Sequence, residues 1–111
     1  MTIEEVAEKV GGKIAVAKPG AEANFAYASD LLSDVMGHCG DESVLITIQN
    51  HLNTIAVCTL AGIEIIVICH NRPVPDDMAA AAAREGVAIV TTPLSQYAAS
   101  VALSSLPPSE K

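Results

Sequence analysis

The clearest hydrophobic pattern lies in the second half of the chain. Positions 43–48 read Ser-Val-Leu-Ile-Thr-Ile, 64–69 read Glu-Ile-Ile-Val-Ile-Cys, and 87–90 read Val-Ala-Ile-Val. Each is a short, β-branched and nearly continuous apolar run bounded by turn residues. Strands buried on both faces have this character. Between the runs lie segments of helical length. One covers 52–60 and ends at Gly62; the other opens at Asp76-Asp77, is rich in alanine, and ends near Glu85-Gly86. After the third run, Thr92 reads as an N-cap with Pro93 at the first helical position. Leu94, Tyr97, Ala98 and Val101 then make the apolar face of a last helix, which Leu106-Pro107-Pro108 stops. The alternation of strand and helix with short connections predicts one α/β domain over 1–106. Its sheet is mainly parallel, with right-handed crossovers and flanking helices. Residues 107–111 are expected to fray.

The front of the chain is less regular. Thr2 and Glu5 have capping-box spacing, and Ile3, Val6, Ala7 and Val10 share one helical face. Gly11-Gly12 ends that helix, 13–17 reads as a short strand, and Pro19-Gly20 forces a turn. Phe25-Ala26-Tyr27-Ala28 fits a short extended piece. Ser29-Asp30 supplies an N-cap and a first-turn carboxylate for a helix to about Met36, with Leu31, Leu32, Val35 and Met36 as its apolar stripe.

Composition and charge narrow the classes of function. Half of the 111 residues are hydrophobic and 17% are charged, which is too apolar for a disordered segment. No apolar stretch is long enough for a transmembrane helix, and the acidic start argues against an export signal. Six Lys and Arg against 13 Asp and Glu give a net charge of −7. That balance makes nucleic acid and anionic membrane poor partners. Three cysteines without a C-x-x-C pair suit a reducing, cytoplasmic setting, with Cys39 the most exposed of them.

A parallel sheet places the loops after its strands along one edge, where ligands of open α/β sheets bind. That edge would gather Gln49, Asn50 and His51, then His70, Asn71 and Arg72, then Thr91 and Thr92. Helix N-termini point there and favour an anion. Arg72 is the sole Lys or Arg between Lys18 and Arg84. It can fork onto a carboxylate or phosphate, or it can pair with Asp76 or Asp77 at the surface. Asn50 or Asn53 can instead cap the following helix. No phosphate-binding G-x-x-x-x-G-K-[ST] loop, G-x-G-x-x-G or G-x-S-x-G elbow is present, so no catalytic residues are assigned. His38, Cys39, His51, Cys58, Cys69 and His70 are possible metal ligands, but adjacent pairs in strands point to opposite faces; neither metal nor cofactor is expected. The 52–60 helix is apolar almost all round. Either a second copy covers it, giving a homodimer, or another protein chain docks there, or the N-terminal helices cover it.

Residues 43–100 resemble the DRTGG domain family. The matching pieces are Val44-Leu45-Ile46-Thr47, the loop Gln49-Asn50-His51, the apolar helix, the strand at 65–69, Gly86-Val87-Ala88-Ile89-Val90, and Thr91-Thr92-Pro93 with its helix. The segment from Ser29 to Met36 looks like small stand-alone members, some of them associated with iron hydrogenases. Gln49-Asn50-His51 stands where that family has a Gly-Asp-Arg type loop, and Cys69-His70-Asn71 where it has Thr-Gly-Gly. The resemblance implies an α/β fold like the N-terminal domain of HPr kinase/phosphorylase, without a kinase active site. It also implies a regulatory or assembly role. Three readings stay open. One is a non-catalytic module that binds a small anionic or nucleotide-like ligand, or a partner protein, at the loop edge. The second is a pure interaction scaffold. The third is a metal- or redox-linked protein using its His and Cys residues.

Overall fold

The computed structural model describes all residues from Met1 to Lys111. In chain order the elements are α1 (Ile3–Lys9), β1 (Lys13–Val16), β2 (Phe25–Ala28), α2 (Leu32–His38), β3 (Ser43–Thr47), α3 (Leu52–Ala61), β4 (Ile65–Ile68), α4 (Asp76–Glu85), β5 (Ala88–Thr91) and α5 (Gln96–Ala102). The strands form one sheet in the order β1-β5-β4-β3-β2. β2, β3, β4 and β5 run parallel, and β1 closes the β5 edge antiparallel. No helix is long and apolar enough to cross a membrane.

Residue alternation along the strands explains the layering. Val44, Ile46, Ile65, Val67, Ala88 and Val90 face one way and pack with Ile3, Val6 and Ala7 of α1 and Ala99 of α5. Leu45, Ile66, Ile68 and Ile89 face the other way and pack with Val35 of α2, Ile55 and Cys58 of α3, and Met78 and Ala82 of α4. Every residue of β3 and β4 is buried, so the sheet needs helices on both faces. Each fully buried isoleucine contributes about 1.5–3 kcal/mol relative to exposure. At the front, Thr2 and Glu5 close the expected capping box: Thr2 Oγ1 accepts from the Glu5 N–H at 3.2 Å, and Glu5 Oε1 accepts from the Thr2 N–H at 3.1 Å.

Several local expectations are corrected. Leu31, not Ser29 or Asp30, is the N-cap of α2, because Ser29 and Asp30 spend their side chains on other partners. Ser95 caps α5 in place of Thr92, its hydroxyl accepting from the Ala98 N–H at 3.1 Å. The start of α5 shifts accordingly, and so does its buried face. Leu94, Ala99, Ala102 and Leu103 pack inward, whereas Tyr97 is 80% and Val101 55% exposed. Cys39 is fully buried instead of exposed.

The expected fraying of 107–111 also fails for most of that segment. The tail lies along β2, with the Ala26 N–H donating to the Pro107 carbonyl at 3.0 Å and the Ser109 N–H to the Ala26 carbonyl at 2.8 Å. Ser109 is buried, and its Oγ accepts from Ser43 Oγ at 2.6 Å and from the Gly40 N–H at 2.9 Å. An edge strand leaves unpaired backbone groups, and the tail satisfies those of Ala26.

Gly12 shows how tightly β1 meets β5. A Cβ at position 12 would lie 2.2 Å from the Thr91 carbonyl oxygen, a backbone atom that cannot step aside alone. Gly12→Ala is therefore expected to lower unfolding stability by about 1–3 kcal/mol in urea denaturation. An unchanged midpoint would mean that the β1 edge yields freely.

Candidate functional site

Since β2 to β5 run parallel, the chain leaves all four at the same edge of the sheet. Asp30 organises that edge. Its Oδ1 accepts from Thr47 Oγ1 at 3.0 Å, from the Ile48 N–H at 3.0 Å and from Gln96 Nε2 at 2.9 Å, while its carbonyl accepts from Gln49 Nε2 at 2.8 Å. Asp30, two residues after β2, thus ties together the exits of β2 and β3 and the start of α5. In the sequence Asp30 reads as a first-turn carboxylate of α2, and Gln96 carries no signal of its own. The available signal was a carboxylate directly after an extended segment, at the strand end where sites gather.

The expected site residues divide into two groups. Gln49 is half-buried and held by Asp30; Asn50 is 7% exposed and bridges two loops. Asn50 Nδ2 donates to the Pro73 carbonyl at 2.7 Å, and its Oδ1 accepts from Arg72 Nη2 at 3.4 Å. Asn50 therefore does not cap α3. His51 is the N-cap and makes no side-chain capping bond, and the first turn of α3 contains no carboxylate. His51, His70, Asn71 and Arg72 are exposed, and Thr91 is half-buried at the end of β5. Thr92 drops out of the surface. It is fully buried, donates its hydroxyl to the Val10 carbonyl at 2.6 Å, and accepts from the Leu94 N–H at 3.2 Å. Its role is to fasten the end of α1 to the β5 exit.

Arg72 takes neither surface partner open to it in the sequence. The chain's three ion pairs are Lys18–Glu64, His38–Asp34 and Arg84–Glu85, so Arg72 has no carboxylate within 4.0 Å. Asp77 instead accepts from the Met78 N–H at 2.8 Å.

His70 and Asn71 have positive φ angles of 60° and 51° in succession. Non-glycine residues pay roughly 1–2 kcal/mol each in that region, less for Asn. The turn persists because both N–H groups are bonded across the sheet edge, His70 to the Leu94 carbonyl and Asn71 to the Thr92 carbonyl, each at 2.9 Å. These bonds close the gap between the β4 and β5 exits. Grooves of about 460 and 440 Å³ lie elsewhere, along α3 and α4 and beside Tyr27 and His38.

The cysteines are unsuited to thiolate chemistry. Burial pushes Cys58 up to about 12 and Cys69 up to about 11, and raises Cys39 as well. No three side chains of the His, Cys, Asp and Glu types converge.

No protein-family model matches the chain, and no curated protein matches it. A solved structure does match: the CBS and DRTGG domains of the regulatory region of Clostridium perfringens pyrophosphatase, complexed with its activator, diadenosine tetraphosphate. The TM-score is 0.72 over 96% of this chain and 47% of that one. The fold is DRTGG-like. Sequence identity is only 10%, so the likeness is one of architecture, and this chain spans about half the other's length. In a DRTGG-like frame the left-handed pair His70-Asn71 stands where the resemblance placed two glycines, the residues that adopt such angles without steric cost.

A flank of β2 carries one strong polar contact. Tyr27 Oη donates to Asp34 Oδ2 at 2.6 Å, and His38 Nδ1 lies 3.2 Å from Asp34 Oδ1. The hydrogen bond from Tyr27 holds the Asp34 carboxyl below its ordinary value and pushes the Tyr27 phenol up to about 12.

Two predictions follow from these geometries. His70→Val should lower stability by about 1–2 kcal/mol, whereas His70→Gly should hold or raise it, both read from urea midpoints. For the Tyr27–Asp34 bond the signs differ at the two ends of the scale. Asp34 has a lowered value, so its contribution is lost as pH falls through that value. Tyr27 has a raised value, so its contribution is complete below the ordinary 10 and lost as pH rises through about 12. In a Tyr97→Phe background, which leaves one phenol, ultraviolet titration should place Tyr27 near 12, and Asp34→Ala should bring it back towards 10. A midpoint indifferent to Asp34→Ala would assign the shift to burial.

Proposed function

We propose that this chain is a non-catalytic regulatory module that senses a small anionic, nucleotide-like ligand at the C-terminal edge of its parallel strands. The observation that carries the reading is Arg72: an exposed guanidinium with no carboxylate partner, steadied by Asn50 at 3.4 Å. In a chain of net charge −7 an anion needs a local cation; Arg72 supplies one between the β3 and β4 exits, and Lys13, paired with Thr91 at the β5 exit, is a second cation on this edge. Its fork suits a phosphate or carboxylate. The N-terminus of α3, without an acid in its first turn, lies one residue beyond Asn50 and His51 and adds unpaired N–H groups. Asp76 and Asp77 open α4, which directs an anion away from α4 and towards α3. Gln49, Asn50, His51, His70, Asn71, Arg72 and Thr91 make up the proposed surface. The similar regulatory region was solved with a nucleotide activator, which supports the ligand class.

We infer further that the module acts as a homodimer. Its three free cysteines suit the cytoplasm. A scaffold with no small ligand is the second reading, favoured by the exposure of His51, His70, Asn71 and Arg72. A thermal-shift panel of nucleotides, dinucleoside polyphosphates and phosphorylated metabolites separates the two. A ligand at a hundred times its Kd stabilises by about 2.7 kcal/mol, a rise of several degrees in Tm. Arg72→Ala should abolish the rise and Arg72→Lys should keep part of it. A flat response across the panel decides for the scaffold, and a rise that survives Arg72→Ala removes Arg72 from the site.

A further inference from the structure

We propose that α3, with the groove between α3 and α4, is a two-fold interface for a second copy of this chain. The inference rests on the homodimer reading and needs nothing from the ligand reading. Leu52, Ala56 and Leu60 are spaced four apart and stand in one row on α3. All three are exposed, Leu60 by 75% and Leu52 by 46%. The row forms one wall of a groove of about 460 Å³, whose other lining includes Ile55, Ala81, Arg84 and Glu85. A symmetric contact requires each copy to offer a ridge and a groove on the same patch, and this face offers both. Rows at four-residue spacing are also the ridges that pack into a neighbouring helix.

Charge favours a second copy over a strongly charged partner as the occupant. The chain carries −7, yet none of the ten residues of α3 is charged, and the groove holds one cation and one anion, Arg84 and Glu85. The patch is neutral as a whole, so two copies meet there without opposing like charges at the contact. Their remaining acidic residues lie outside it, where salt screens them beyond about 10 Å. A basic partner finds no carboxylate on the one helix that presents the ridge. Ala56, small and central in the row, fits the symmetry axis. An antiparallel crossing there sets Leu60 of each copy beside Leu52 of the other.

Sedimentation equilibrium over a range of concentrations tests this, with circular dichroism confirming that each variant folds. The wild type should dimerise. Leu60→Asp should raise the dissociation constant at least about tenfold. Val101→Asp, on α5 across the sheet, should leave it unchanged. Ala56→Cys should give a disulfide-linked dimer on mild oxidation, and Val101→Cys should not. A wild-type monomer at every concentration, a dimer indifferent to Leu60→Asp, or cross-linking through position 101 alone overturns the proposal. Repeating the thermal-shift panel on Leu60→Asp keeps the two readings apart: a retained ligand response in a monomeric variant sinks neither the ligand site nor its residues.

Discussion

β3 and β4 are buried at every residue, and a backbone in that position has no water to bond. Its N–H and C=O groups must all enter the sheet ladder, and its side chains, alternating in direction, must meet apolar layers on both sides. The two cores of this molecule are the consequence. One is built from α1 and α5, the other from α2, α3 and α4. Successive crossovers over one face carry the chain from β2 through β5 in spatial order, so four exits fall along one edge. The location of the candidate site is set by the same burial that stabilises the fold.

That edge is divided by a change of side. After β2, β3 and β4 the chain turns to the face covered by α2, α3 and α4; after β5 it turns to the opposite face. Diverging loops of this kind commonly open a ligand crevice. Here the N–H groups of His70 and Asn71 bridge the divergence and hold two left-handed residues in place. On the other side Asp30 gathers the β2 and β3 exits. What remains accessible is the ground between the β3 and β4 exits, where Asn50 reaches both Pro73 and Arg72.

The two surfaces singled out differ in their physics. The strand-exit edge carries Arg72 and, beside the β5 exit, Lys13, neither in an ion pair, and the attraction of such cations for an anion falls with salt. The outer face of α3 carries no charge and gains by removing leucine from water. The N-terminus of α3 belongs to the first surface and its outward row to the second, so one helix joins them.

Local chemistry made much of this legible in the sequence. β-branched runs at 43–48, 64–69 and 87–90 identify buried strands because few other residues pack on both faces of a pleat. The Thr2–Glu5 capping box needs only three residues of context. The grouping of Gln49, Asn50, His51, His70, Asn71 and Arg72 followed from strand direction alone. Tertiary contacts decided the rest. Asp30 and Thr92 look like helix caps locally, but a cap gains about one hydrogen bond, and Asp30 makes three on its carboxylate while Thr92 makes two in the core. Tyr97 and Val101 have core spacing, yet Ser95 starts α5 later than Thr92 would, and the helix presents a different face to the sheet. Ser109 lies in a proline-rich tail that reads as frayed, and the distant Ala26, Gly40 and Ser43 hold it. Residue order determines what a segment favours by itself. Which competing partner it takes depends on neighbours brought close by folding, and those are absent from any local window of the chain.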